Sequence, residues 1–170
     1  MNNEDLQAEI TRIEGWIKNA DTKIGVLLAF LGVLIVILAN RFIDVVFNLS
    51  SPILLVTAYF IALVLLVMST LKTLFGIIPR LSHNQKNKSL LYYLDISDMP
   101  IESFRRATRS ITPSQYKKML SNQMHALSRI AARKMSNFKD SSIYLAVALL
   151  VIGVAEITYR YSELTKFTTQ

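Results

Sequence analysis

The chain has 170 residues, a length that suits one domain, but 52% of them are hydrophobic and the mean hydropathy is +0.36, more apolar material than a soluble core of this size uses. A formal charge of +7 points to an anionic partner, either lipid headgroups or a nucleotide. The lack of cysteine excludes disulfides, thiolate metal sites and cysteine nucleophiles, and two histidines, His83 and His125, are too few for a histidine-rich metal cluster.

Residues 1–23 place Leu6, Ile10, Ile13, Ile17 and Ala20 at helical spacing, with Glu4, Asp5, Glu9, Arg12 and Glu14 on the other faces, which predicts an amphipathic helix. This segment reads as too long and too acidic for the charged start of a cleavable signal. Ile24 to Ala39 follows without a charge and extends to Phe47 if Arg41 and Asp44 lie in the outer headgroups, so residues 24–47 are the first expected transmembrane span. Pro52 to Leu71 gives another uncharged run closed by Lys72, and residues 52–78 are the second span. Pro79 is expected to end its helix and lead into a polar loop, Ser82 to Lys88. Ser89 to Ile96 is apolar, aromatic and too short to assign to helix or strand by period. Asp98 is expected to cap a short helix running from Met99 or Pro100 to Arg109.

The organising element comes next. Thr112-Pro113-Ser114-Gln115 combines a threonine cap, a proline already at helical φ and a glutamine three residues on, the signature of a helix start. No glycine or proline occurs from Ser114 to Ile152, so the helix predicted there could reach roughly 58 Å. Its first half is basic and amphipathic, whereas Ile143 to Val154 is almost purely apolar. Residues 141–159 are accordingly the third span, with interfacial placement as the other reading, and residues 160–170 an external tail. The fold class expected is an all-α membrane protein: three transmembrane helices, a basic helical cytosolic insert at 79–140, and a third span continuous with a long cytosolic helix.

Orientation follows from the basic residues. Residues 1–23 and 79–142 hold fifteen lysines and arginines, against three (Arg41, Arg160, Lys166) on the other side, so the amino terminus and residues 79–142 are expected in the cytosol. Within the insert, Arg105, Arg106 and Arg109 and the Lys118, His125, Arg129 and Arg133 face of the long helix could surround phosphates, because guanidinium groups match phosphate oxygens bidentately. The same charges could instead be the ordinary basic bias of cytosolic loops, or, at Arg80 and Lys139, contacts to anionic lipid. His125 could be a surface or packing residue. Tyr92 and Tyr93 could stack a nucleobase or belong to a core. Glu156 reads either as a pore mouth or as an interfacial anchor beside Tyr159 and Tyr161. Opposite the basic face, Tyr116, Leu120, Gln123, Leu127, Ile130, Ala131, Lys134 and Phe138 form a seam expected to pack on a neighbouring subunit or on the insert's short helix. No nucleophile elbow, P-loop, dinucleotide fingerprint, metal-ligand pair or close carboxylate pair occurs, so no catalytic residue, cofactor or metal is expected.

Three segments together resemble a family. Trp16-Ile-Lys-Asn-Ala-Asp-Thr-Lys23, Asn87-Lys-Ser-Leu-Leu-Tyr-Tyr-Leu-Asp-Ile96 and Gln123-Met-His-Ala-Leu-Ser-Arg-Ile-Ala-Ala-Arg-Lys134, in this order, look like the transmembrane effectors of Pycsar anti-phage systems. The resemblance implies a bacterial inner-membrane protein, encoded beside a nucleotide-signal synthase, that damages the membrane when its signal changes. The family's Asp and Lys before the first span match Asp21 and Lys23, its histidine-containing helix matches His125, and its aromatic pair matches Tyr92 and Tyr93. The messenger stays open between a cyclic nucleotide and an oligonucleotide, which the basic insert would accommodate as well. The expectation is a homo-oligomer, a tetramer favoured, in which ligand held by the basic residues moves the long helices and opens or closes a pore, with Asp21, Lys23 and Glu156 at the gate or pore mouth. The other readings are a membrane scaffold that recruits a cytosolic protein through its amphipathic helix, and a holin-like toxin that needs no ligand.

Overall fold

A computed structural model describes residues 2–48, 51–78 and 89–168, and every element assigned among them is helical. The elements are α1 (Asn3–Phe47), α2 (Ile53–Ile77), α3 (Tyr93–Ser97), α4 (Ile101–Ser110) and α5 (Pro113–Thr168). Three of them are long and apolar enough to cross a membrane: α1, α2 and α5. The polar loop at 82–88, with His83, lies outside the described residues.

Helix starts follow local chemistry. At α1, the Asn2 amide donates to Asp5 Oδ2 at 2.8 Å and the Asp5 amide to Asn2 Oδ1 at 2.7 Å, a reciprocal box that satisfies amides the helix leaves free. At α5 the same device recurs: the Thr112 amide donates to Gln115 Oε1 at 2.9 Å and the Gln115 amide to Thr112 Oγ1 at 3.3 Å. The α4 start differs from expectation. Pro100, not Asp98, occupies the cap position, and no side chain caps the helix, because the proline ring carries no acceptor for the amides that follow; its φ is −57° and it has no amide of its own to satisfy. The indeterminate Ser89–Ile96 run contains a turn and all but the last residue of the five-residue α3, tied by the Ser89 amide donating to Asp95 Oδ2 at 2.8 Å.

The chain divides into two compact units, and α1 and α5 each contribute to both. Unit 1 comprises residues 1–20 and 78–134. Its core is small: Leu6, Ile10 and Leu120 are buried, with Leu91, Tyr116, Met124 and Leu127 packed on them. The first part of the α5 seam, Tyr116, Leu120 and Leu127, is therefore covered from within the chain, by the apolar face of α1 and by Leu91, while Ile130 farther along is exposed. The periodicity that predicted an apolar stripe on residues 1–23 and another on α5 had found two halves of one contact. Gln7 Nε2 donating to the Tyr116 hydroxyl at 2.9 Å extends it at the polar edge.

Unit 2 comprises residues 21–77 and 135–170. Leu31 and Leu38 of α1, Ala62 and Leu66 of α2 and Ala148 of α5 form its core, flanked by Leu27, Leu34, Ile35, Leu63, Leu65, Leu145 and Ile152. Outside this seam the helices are apolar as well. Val26, Phe30, Val33, Val36, Phe60, Val64, Leu150 and Val154 are all exposed, and only 17%, 33% and 11% of the three apolar windows are buried. A helix that is hydrophobic all round needs hydrocarbon around it, and at 25 residues α2 rises about 38 Å, enough for a hydrocarbon core of about 30 Å. The three helices of unit 2 form the membrane part of the molecule. Helix α5 runs unbroken through residues 135–142 and continues past Thr158 to Thr168, through positions read as a tail.

Candidate functional site

Unit 1 carries most of the residues singled out for anion binding. On α4, Arg105, Arg106 and Arg109 border a shallow concavity with Glu102 and Ser110. Arg105 Nη1 is 3.0 Å from Glu102 Oε1, one turn back. Arg106 and Arg109 are exposed and, among the described residues, make no ion pair or side-chain hydrogen bond. On α5, Lys118, His125, Arg129 and Arg133 share an exposed face, likewise without such partners. The structure thus groups the three α4 arginines, and separately the four α5 residues; no hydrogen bond or ion pair between described residues links the two sets. Tyr92 is half-buried beside the core residue Leu91, while the side chain of Tyr93 lies outside the described residues.

Unit 2 holds a second group of polar residues that the sequence reading did not single out. Ser69, Thr73 and Ser141 are all completely buried where α2 meets α5. Ser69 Oγ lies 2.8 Å from both Ser141 O and Ser141 Oγ, Ser141 Oγ donates to Ser69 O at 2.9 Å, and Thr73 Oγ1 is 2.6 Å from Ser141 Oγ. Small hydroxyl residues let two backbones approach and then bond across the gap. One step along, Lys72 Nζ meets Asp140 Oδ2 at 2.9 Å. Farther along α5, Glu156 Oε1 accepts a short hydrogen bond from the Tyr59 hydroxyl and its other oxygen lies 3.8 Å from Arg160 Nε. The available signal was spacing: Ser69 and Thr73 lie four residues apart in an otherwise apolar helix, and Ser141 directly precedes the third apolar run.

A family model for the Pycsar effector protein domain matches residues 5–159. The chain belongs to the Pycsar effector family. The match spans both units, so the effector is neither the basic part alone nor the apolar part alone. Membership marks the protein as an anti-phage membrane effector, and the family is not a known enzyme family. The family also implies a cyclic nucleotide signal supplied by a linked cyclase. No curated protein and no solved structure matches the chain.

Asp21 and Lys23 are exposed near the start of the α1 span, Asp21 with a polar partner and Lys23 with none among the described residues. Glu156 is half-buried and engaged by Tyr59 and Arg160, so its carboxylate is held in place by its own chain. An ionisable group at such depth persists when it has partners of this kind.

Proposed function

We propose that this Pycsar effector is a cyclic-nucleotide-gated membrane protein of the bacterial inner membrane that assembles as a homo-oligomer and permeabilises the bilayer when the messenger level changes. The observation that carries the reading is the set of exposed basic residues on α4 and α5, Arg106, Arg109, Lys118, Arg129 and Arg133, that have no partner among the described residues, in a family that implies a cyclic nucleotide signal. Guanidinium groups with no carboxylate to satisfy them present their donors to a phosphate. In this reading the amino terminus and residues 79–142 face the cytosol, where the messenger is made. The nucleotide can drive the change only by binding one state more tightly than the other, and α5, an uninterrupted helix bearing both Arg129 and the membrane-core residue Ala148, supports a direct connection.

The scaffold alternative calls for a free seam on α5; Leu6, Ile10 and Leu91 cover its Leu120 part, and Ile130 is exposed. An oligonucleotide messenger is the second reading, favoured by the number of cations that are unengaged among the described residues. Salt separates the two messengers: log K against log salt falls with a slope of about −0.7 per phosphate contacted, so a cyclic mononucleotide gives a shallow line and an oligomer a steep one.

The test is dye release from liposomes containing the purified protein. Release should change on adding the cyclic nucleotide made by the linked cyclase, and the combined Arg105→Ala, Arg106→Ala and Arg109→Ala protein should lose the response. A response to no cyclic nucleotide would overturn the gating claim. Equal killing by wild-type and triple-alanine proteins on expression alone would point to the ligand-free toxin.

A further inference from the structure

The boundary between the polar start of α1 and its apolar span carries a feature outside the nucleotide reading. Thr22, Lys23, Val26, Leu27 and Phe30 of α1 and Phe138 of α5 line a shallow, open groove within unit 2. Its chemistry is divided along its length. Thr22 and Lys23 stand together at one end, and the other four lining residues are apolar. Val26 is 67% exposed and Phe30 49%, so the apolar part opens outward rather than into the bundle core. The Lys23 ammonium makes no ion pair or hydrogen bond among the described residues.

The carboxylates at this level are engaged. Asp21 has a polar partner, and Asp140, on the α5 turn that follows Phe138, is held by Lys72 at 2.9 Å. Lys139, the residue after Phe138, is exposed and adds a second cation. Ile24 and Asn137 both lie close to Gly76 of α2, so α1, α2 and α5 converge beside the groove. The level is also where charge gives out on α1: no ionisable residue occurs from Ile24 to Asn40.

We propose that this groove is a binding site for a phospholipid with an anionic headgroup, its phosphate on Lys23 and an acyl chain lying along Val26, Leu27, Phe30 and Phe138. Lysine is a compact charge suited to a headgroup phosphate, and the polar-to-apolar order of the groove repeats the order of the lipid itself. From Thr22 to Phe30 the helix rises about 12 Å, a length that a good part of one acyl chain covers. A soluble nucleotide would find Lys23 and Lys139 beside a hydrocarbon wall here; a lipid finds a partner for each of its parts. The assignment is independent of nucleotide gating and stands or falls separately.

The experiment is native mass spectrometry of the full chain released from nanodiscs made of equal parts phosphatidylcholine and phosphatidylglycerol. The expected result is selective retention of phosphatidylglycerol, reduced about fivefold by Lys23→Gln, the loss of one near-surface cation, and restored by Lys23→Arg. Val26→Trp, which fills the groove while keeping Lys23, should release the same lipid, so the site remains testable if the glutamine variant folds poorly. Lys139→Gln should change retention less than Lys23→Gln. Excess inorganic phosphate should leave the lipid bound, and displacement by it would show a free-anion site instead. Equal retention of the two lipids, or retention unchanged by both Lys23→Gln and Val26→Trp, would overturn the proposal. So would efficient cross-linking of two copies through Val26→Cys, a clean probe in a chain without cysteine, because a second copy would then occupy the groove.

Discussion

Ser141 shows how much one small side chain settles in the membrane part of this effector. Its hydroxyl is completely buried against Ser69 and Thr73, yet the other two hydroxyls also have backbone acceptors: Ser69 Oγ reaches Ser141 O, and Thr73 Oγ1 reaches Ser69 O at 2.9 Å. Ser141→Ala therefore removes one group without stranding its neighbours, and the expected loss is small, about 0.5–1.5 kcal/mol. Ser141→Leu must push side-chain volume into a contact with no space, and should cost about 1–3 kcal/mol or more. Thermal unfolding in detergent checks the pair, with leucine expected to lower the midpoint clearly more than alanine. If the two substitutions behaved alike, the site would be tolerant of volume and the close approach of α2 and α5 would not depend on it. None of this was marked by hydropathy, since serine and threonine in an apolar run look like interruptions until a partner helix supplies the second half of each bond.

At the scale of elements, helix beginnings were the most legible feature. Thr112, Pro113 and Gln115 act as their spacing foretold because a capping box involves residues three apart, with no distant contact needed. Thr112→Ala should remove about 1 kcal/mol of local stability from the first turn of α5. Hydrogen exchange should then speed up at residues 114–117 while the turn around Ala148 keeps its protection, and equal loosening of both would contradict a local role for the cap. The α4 start was misjudged for the complementary reason: Asp98 and Pro100 both carry start signals, and the position of the first helical residue decides between them. The apolar stripes on α1 and α5 were also visible in sequence. That each was the other's partner was not, because residues 6–10 and 116–127 are joined only by folding.

On the scale of the whole chain, the effector reading depends on a message passing from the cationic helices to the membrane helices. α5 contributes to both units without interruption, so its continuity can be tested directly. Two glycines inserted between Met135 and Ser136 should leave nucleotide affinity unchanged, measured by calorimetry, and abolish nucleotide-dependent dye release, since glycine breaks helical stiffness. A full response in that protein would show that α5 is not the connection. The Pycsar family match over residues 5–159 supplies the setting in which such a message has a purpose. What the amino-acid order decided by itself was the class of molecule: long uncharged runs must enter hydrocarbon, and 3.6-residue periodicity must make helices. Folding alone decided which faces meet, that Lys72 holds Asp140, that three hydroxyls close the α2–α5 contact, and that Glu156 is engaged by Tyr59. The division has one physical cause. Hydropathy, periodicity and capping act between residues a few positions apart, whereas each of the polar contacts in the second group joins side chains that are 68 or more positions apart in the chain and adjacent only in space.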